Sequence, residues 1–171
     1  MKYRPFAAAG KEISLLGFGA MRLPTIGGDH ANIDEPEAIK MIRTAIDGGV
    51  NYVDTAYVYH GGASEVVVGK ALKDGYREKV SVATKLPFWV MKGPDEMEPA
   101  LDLSLERLDI DAIDFYLVHD ISGDRWDTVR AWKMFEFMEE MKKKGKIRHI
   151  GFSCHGSTTE YFKEVLDAYP W

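Results

Sequence analysis

Short apolar runs rich in β-branched residues recur about every 30 to 35 positions, the length of a strand, a helix and their connections. The runs cover residues 15–21, 50–54, 80–85, 113–119 and 147–153, and stretches of helical periodicity separate them. Strands that are apolar on both faces and alternate with helices form a parallel sheet covered by helices. Two architectures satisfy that rule, an open doubly wound sheet and a (β/α)8 barrel, and the spacing alone leaves the choice open.

The helical stretches carry their own punctuation. Asp34 stands at an N-cap with Glu37 three residues on, followed by Ile39, Ile42 and Ile46 on one face, before Gly48 and Gly49 end the helix. A second helix is expected from Ser64, whose hydroxyl would cap its start, through Val67, Val68, Ala71 and Leu72 to the stop at Asp74 and Gly75. A third follows Pro94 with Met97, Leu101, Leu105 and Leu108, and a fourth carries Trp132, Phe135, Met138 and Met141 before Gly145. A fifth opens with a capping box from Ser157 to Glu160 and is expected to bury Phe162, Val165, Leu166 and Tyr169. Segments 2–6 and 11–15 flank a turn at Gly10 and read as a hairpin outside the repeat, suited to closing the bottom of a barrel.

Composition narrows the function classes. With 171 residues, 46% of them hydrophobic, the chain fills one core and reads as one domain, residues 1–171. Its 22 Lys+Arg against 27 Asp+Glu leave a net charge of -5. The basic residues are scattered apart from Lys142, Lys143 and Lys144 at a helix end, so no nucleic-acid face is expected. The single cysteine, Cys154, provides neither an internal disulfide nor a cysteine-built metal or iron-sulfur site. Met1 to Pro5 lack an apolar signal core, and no stretch approaches the roughly 20 apolar residues of a membrane span. A cytoplasmic protein without a membrane partner is the expectation.

In either architecture ligands bind at the carboxyl ends of the strands. The polar residues there are Asp54, Lys85, His119 and the pair Ser153 and Cys154, and the first four stand 31, 34 and 34 residues apart. Each taken alone has an ordinary explanation: Asp54 as a helix cap, Lys85 as a surface residue, His119 as a satisfied core histidine. Jointly they converge on one face from successive strands. Tyr59, five residues after Asp54, completes a set suited to proton transfer at oxygen. A free phenol titrates near ~10, and a neighbouring ammonium such as that of Lys85 favours its anion. Asp54 would hold Lys85 charged and oriented, while His119 donates a hydrogen bond to a substrate oxygen.

Five motifs in order along the chain resemble the aldo-keto reductase family. They are Gly17-Phe18-Gly19-Ala20-Met21-Arg22, Asp54-Thr55-Ala56-Tyr57-Val58-Tyr59, Ala83-Thr84-Lys85, Leu117-Val118-His119 and Ile150-Gly151-Phe152-Ser153. The resemblance implies a (β/α)8 TIM barrel, here represented by the N-terminal hairpin and about five βα units. It implies hydride transfer between NADPH and an aldehyde or ketone, with Asp54, Tyr59, Lys85 and His119 as the catalytic set and Tyr59 as general acid. The nicotinamide would lie near Gly19, Ala20, Met21 and Asp54, with Ser153 reaching its carboxamide. Cys154 stands where many members carry Asn. The most similar members are bacterial and archaeal ones that append a ferredoxin-like iron-sulfur segment; the 171 residues hold no such segment and no cluster is implied. The chain reads as truncated before a sixth strand, with the grip on the adenosine phosphate beyond Trp171. An unclosed barrel edge is expected to favour self-association.

Other readings attach to single residues. A metal-dependent hydrolase would use His60, His119, Asp120 and His155, although no pair of these has a recognised ligand spacing. His60, beside Gly61 and Gly62, could line the substrate mouth but reads first as an exposed loop histidine, and Arg148 and His149 belong to the opposite, stability end of the sheet. Cys154 reads as packing, and Trp89, after the third strand, is the tryptophan best placed for a carbonyl substrate. A different class of function is a family fold without turnover, a cofactor-sensing or scaffolding protein.

Overall fold

The computed structural model describes residues 1–171, the side chain of Ala8 excepted. An antiparallel hairpin of β1 (Tyr3–Phe6) and β2 (Lys11–Ser14) precedes a five-stranded sheet. The sheet comprises β3 (Phe18–Gly19), β4 (Tyr52–Asp54), β5 (Ser81–Leu86), β6 (Ile113–Val118) and β7 (Ile147–Phe152). All its strands are parallel and lie side by side in sequence order. A doubly wound sheet reverses its strand order partway, whereas a barrel does not. The order β3-β4-β5-β6-β7 therefore resolves the choice in favour of a partial (β/α)8 barrel.

The helices are α1 (Glu35–Asp47), α2 (Ala63–Ala71), α3 (Met97–Leu108), α4 (Arg125–Ala131), α5 (Met134–Lys143) and α6 (Thr159–Asp167). Their apolar stripes face the outer side of the sheet. Val53, Val82, Tyr116 and Val118 are fully buried in one core with Ile42, Val68, Leu101 and Met138. Burying each such aliphatic side chain contributes on the order of 1.5–3 kcal/mol, which makes this layer the main stabilising element. None of the helices is long and apolar enough to cross a membrane.

The inner, concave side is aromatic toward the bottom. Phe115 lies 5.4 Å from Tyr52 and 5.0 Å from His149, and the hairpin sends Phe6 to within 5.6 Å of it, measured between ring centroids. The hairpin is tied down by Asn51, whose side-chain carbonyl accepts from Ser14 N at 2.8 Å and whose amide donates to Glu12 O at 2.8 Å. A cavity of about 620 Å³ opens on this side, lined in part by Phe6, Tyr52, Phe115, Leu117, His149 and Phe152. At the same end Asp114, 1% exposed, pairs with Arg77 at 2.8 Å and Arg148 at 3.0 Å and accepts from Val82 N at 2.8 Å. This hub pins the amino ends of β5, β6 and β7 and leaves the opposite ends to carry other side chains.

Local departures from the sequence expectation have identifiable causes. The first strand shrinks to Phe18–Gly19 because Leu15 N bonds Lys2 O and extends the hairpin, leaving Leu15 and Leu16 exposed, while residues Ala20–Arg22 turn into a 3-10 helix. Ser64 does not cap α2; its hydroxyl donates to Ala20 O at 2.9 Å, and Gly62 with φ 99 is the N-cap. The expected fourth helix is α5 without Trp132: Lys133, whose φ of 51 takes it out of the helical region, separates it from α4, a helix the periodicity did not announce. Thr158, not Ser157, caps α6 by accepting from Tyr161 N, and of the four residues expected to be buried there only Val165 is; Phe162 and Leu166 are exposed.

Gly69 shows how closely α2 and α3 approach. A β-carbon at this position would lie 2.6 Å from Leu108 O and 2.8 Å from Arg107 O, both main-chain atoms that cannot rotate away. Alanine is ordinarily the better helix former by about 1 kcal/mol. Here overpacking outweighs propensity, so Gly69→Ala is expected to destabilise the fold by about 1–3 kcal/mol. Chemical denaturation of the two proteins checks it; equal or greater stability of the alanine form would contradict the close approach.

Candidate active site

Parallel register brings the predicted side chains to one rim. Gly19 lies opposite Asp54, Asp54 opposite Ala83, and Lys85 opposite Leu117, while His119 and Ser153 follow the last residues of β6 and β7. Tyr59 reaches the rim from a short 3-10 turn, Tyr59–Gly62, that leads from β4 into α2.

The centre is the ammonium of Lys85, whose side chain is 5% exposed. Its Nζ donates to Asp54 Oδ1 at 2.6 Å, to Thr55 O at 2.7 Å and to Tyr59 OH at 3.2 Å, which uses all three N–H groups. A buried ion is tolerated when it is paired and hydrogen-bonded in this way. Burial pushes the Asp54 carboxyl up from its usual range, and the Lys85 ammonium pulls it back only in part. Because Lys85 donates to the phenol oxygen, it stabilises negative charge there, and the Tyr59 proton is left free to point outward.

His119 stands edge-on to Tyr59 at 5.8 Å and to Trp89 at 4.5 Å between ring centroids. Burial, and next the Lys85 charge, push its imidazole down to about 3, so it is neutral at pH 7. Its Nδ1 is buried and has no partner among the described residues. A neutral imidazole beside a phenol that receives a hydrogen bond from an ammonium can place two donors on one substrate oxygen. Trp89 and Arg125 form one wall of the rim, with the guanidinium carbon 4.8 Å above the indole and an ion pair from Arg125 to Asp120.

The cofactor-side residues named from the sequence are distributed around this centre. Ala20 is buried and Met21 is 45% exposed on the turn after β3. Ser153 Oγ accepts from Asp120 N at 2.8 Å, and Cys154 Sγ lies 3.2 Å from Ser157 Oγ, partly buried against the core. The metal-ligand set is not assembled, and among the described residues no three His, Cys, Asp or Glu side chains group to hold an ion. His60 is not an exposed loop histidine: it is 1% exposed and both ring nitrogens are engaged. The sequence reading also missed Thr55 O as a ligand of Lys85, since a main-chain carbonyl leaves no signature in residue type.

His119 gives the fold a pH dependence of known sign. The unfolded chain takes up a proton on this imidazole near 6.5, whereas the folded chain resists until about 3. Between those values the unfolded state binds more protons, so stability is fully present above the upper value and is lost as pH falls through the window. His119→Gln removes the titrating group, and its melting temperature is expected to fall less than that of the parent between pH 7 and pH 4.5. Parallel curves for the two proteins would contradict a neutral, desolvated His119.

Comparison with known proteins agrees with the geometry. The family model described as "Aldo/keto reductase family" matches residues 15–168. A probable aldo-keto reductase 1 of Glycine max is 37% identical over 155 residues, covering 84% of this chain and 42% of that protein. An L-galactose dehydrogenase of Arabidopsis thaliana is 32% identical and covers 99% of this chain and 53% of its own length. The chain thus spans about half the length of these curated relatives. Among solved structures, the holo form of aldo-keto reductase AKR11C1 from Bacillus halodurans superposes with a TM-score of 0.77 at 33% identity, over 98% of this chain and 54% of that one. A Klebsiella pneumoniae aldo-keto reductase in complex with NADPH gives 0.76 at 29% identity, over 94% of this chain and 51% of that one. The strand order, the rim of polar side chains and these matches lead to one conclusion: the chain belongs to the aldo/keto reductase family.

Proposed function

We propose that this rim is the site of hydride transfer between NADPH and an aldehyde or ketone, with Tyr59 exchanging the proton at the carbonyl oxygen. The observation that carries the reading is the contact of Lys85 Nζ with both Asp54 Oδ1 and Tyr59 OH, which sets a donor on the phenol oxygen that would bear negative charge in the reaction. The residues present suit the nicotinamide end of the cofactor. A β-carbon on Gly19 would meet no atom within 4 Å, so the space above that strand end is open. Ser153 Oγ is engaged only as an acceptor, which leaves its own proton to donate to a carboxamide oxygen. The Klebsiella neighbour solved with NADPH supports the choice of cofactor.

Bound NADPH supplies the hydride that reduces the carbonyl carbon. The chain's own groups handle the oxygen. Tyr59 holds its proton at OH and delivers it as negative charge develops, Lys85 steadies the phenolate left behind, and Asp54 balances the ammonium through the reaction. His119, neutral, donates a second hydrogen bond to the same oxygen. Trp89 walls the mouth and would meet the organic part of the substrate.

A second reading is a member of the family that binds the cofactor without turnover. One pair of measurements separates the two. Tryptophan quenching by NADPH reports binding, and NADPH consumption with an aldehyde reports turnover. Tyr59→Phe is expected to lower turnover by about 100- to 10,000-fold while leaving the quenching constant within a factor of about two. Unchanged turnover in the phenylalanine form would remove Tyr59 from the chemistry; binding without any turnover in the parent would favour the second reading.

A further inference from the structure

We propose that His60 is a positioning residue that locks the turn proposed to receive the nicotinamide to the segment that carries Tyr59. The inference rests on the reductase reading above and concerns a side chain to which that reading gives no role. His60 follows Tyr59 directly and adopts φ 53, ψ 38, a left-handed conformation uncommon for any residue but glycine, although histidine is, with asparagine and aspartate, among the side chains found there most often. Glycine would fit this backbone without strain, and Gly61 and Gly62, both also left-handed, stand beside it. A histidine in place of a third glycine gains its advantage from the contacts its ring makes.

The ring has them. Its Nε2 accepts from Leu23 N at 3.1 Å, so this nitrogen carries no proton. The proton then sits on Nδ1, which donates to His30 O at 2.6 Å, and the His30 ring stacks on it at 4.3 Å between centroids. One imidazole in this tautomer thus satisfies a donor at the end of the Ala20–Arg22 turn and an acceptor in the loop bridged by Thr25 and Ile33. A second tie runs parallel to it. Ser64 Oγ donates to Ala20 O at 2.9 Å and pairs with Thr55 Oγ1 at 2.8 Å, and the carbonyl of Thr55 is a ligand of Lys85. The turn Ala20–Arg22 is held at both ends, by Ser64 at its start and His60 just beyond its end. Both side chains belong to the stretch that begins at Tyr59. The distance between the hydride donor and the phenol would be fixed by these two ties.

Three variants test the lock. His60→Gly keeps the backbone conformation and deletes the ring, His60→Leu fills space without a nitrogen, and His60→Gln offers an amide that can both accept from Leu23 N and donate to His30 O. Quenching titrations with NADPH, steady-state assays with NADPH and 4-nitrobenzaldehyde, and amide hydrogen exchange at Leu23 give three readouts. The glycine form is expected to bind NADPH about tenfold more weakly, to show a matching rise in KM for NADPH, and to exchange the Leu23 amide faster, as for one lost buried hydrogen bond. The glutamine form is expected to recover most of the loss. A merely structural role would lower the melting temperature and leave KM for NADPH unchanged, and that result overturns the proposal. Should the glycine form not fold, glutamine and leucine decide: near-parental KM in the first with weakened binding in the second supports the lock, and equal values overturn it. If the parent binds no NADPH, the reductase reading fails separately. The lock is then judged on Leu23 exchange, which must be faster in the glycine or leucine form than in the glutamine form.

Discussion

A primary ammonium in a nearly dry site is the constraint around which this molecule is arranged. Left unpaired at 5% exposure, Lys85 would destabilise the fold by several kcal/mol or lose its proton. It is paired because β4 and β5 run parallel in a register that sets Asp54 beside Ala83 and so brings its carboxylate and the following carbonyl within reach. A slip of one residue would turn Lys85 into the helix-covered face. The outer apolar layer and the Asp114 hub at the far end hold that register, so the geometry at one rim depends on packing at a distance from it.

Much of the fold was legible because its signals are periodic. The spacing of strand runs, the Asp34 cap of α1 and the stripe Met97, Leu101, Leu108 of α3 all appear where the sequence places them. Errors arose where long-range partners override a local signal. Ser64 looks like a cap because a serine precedes an apolar run, but its hydroxyl is drawn to Ala20 O, 44 residues away in sequence. Leu15 reads both as the end of the hairpin and as the start of the first strand run, and the hairpin claims it, while Leu16, read as strand, is left exposed beside it. At Lys133 the stripe Trp132, Phe135, Met138 stays near helical spacing through a break in the backbone, since periodicity reports which face is apolar and not whether the helix is continuous.

Legibility of the site followed the same division. The polar side chains at the strand ends could be found by their spacing, and Asp54, Lys85 and His119 come together with Tyr59. Placement by hydrogen bonds to the main chain could not. His60 was read as exposed because glycines flank it, and glycine-rich segments are usually loops; those same glycines here let the chain double back so that the ring is buried. The tilt of Trp89 against His119 likewise depends on the 3-10 turn Phe88–Val90, which no pattern in the sequence announces.

Many of the contacts that fix this rim end on main-chain atoms: Thr55 O for Lys85, Ala20 O for Ser64, Leu23 N for His60, and Asp120 N for Ser153. Such an atom survives any replacement at its own position, proline at a donating nitrogen apart. A replacement at residue 20, 23, 55 or 120 acts through the packing or side-chain contacts it disturbs, while the main-chain partner that the neighbouring hydroxyl, imidazole or ammonium requires remains in place. A lineage can reshape the walls of its mouth, at Met21 or Trp89 for example, while the frame behind them stays wired through atoms that mutation does not reach. The exposed lining of the rim and the geometry behind it are thereby separated, one written in side chains and the other largely in the backbone.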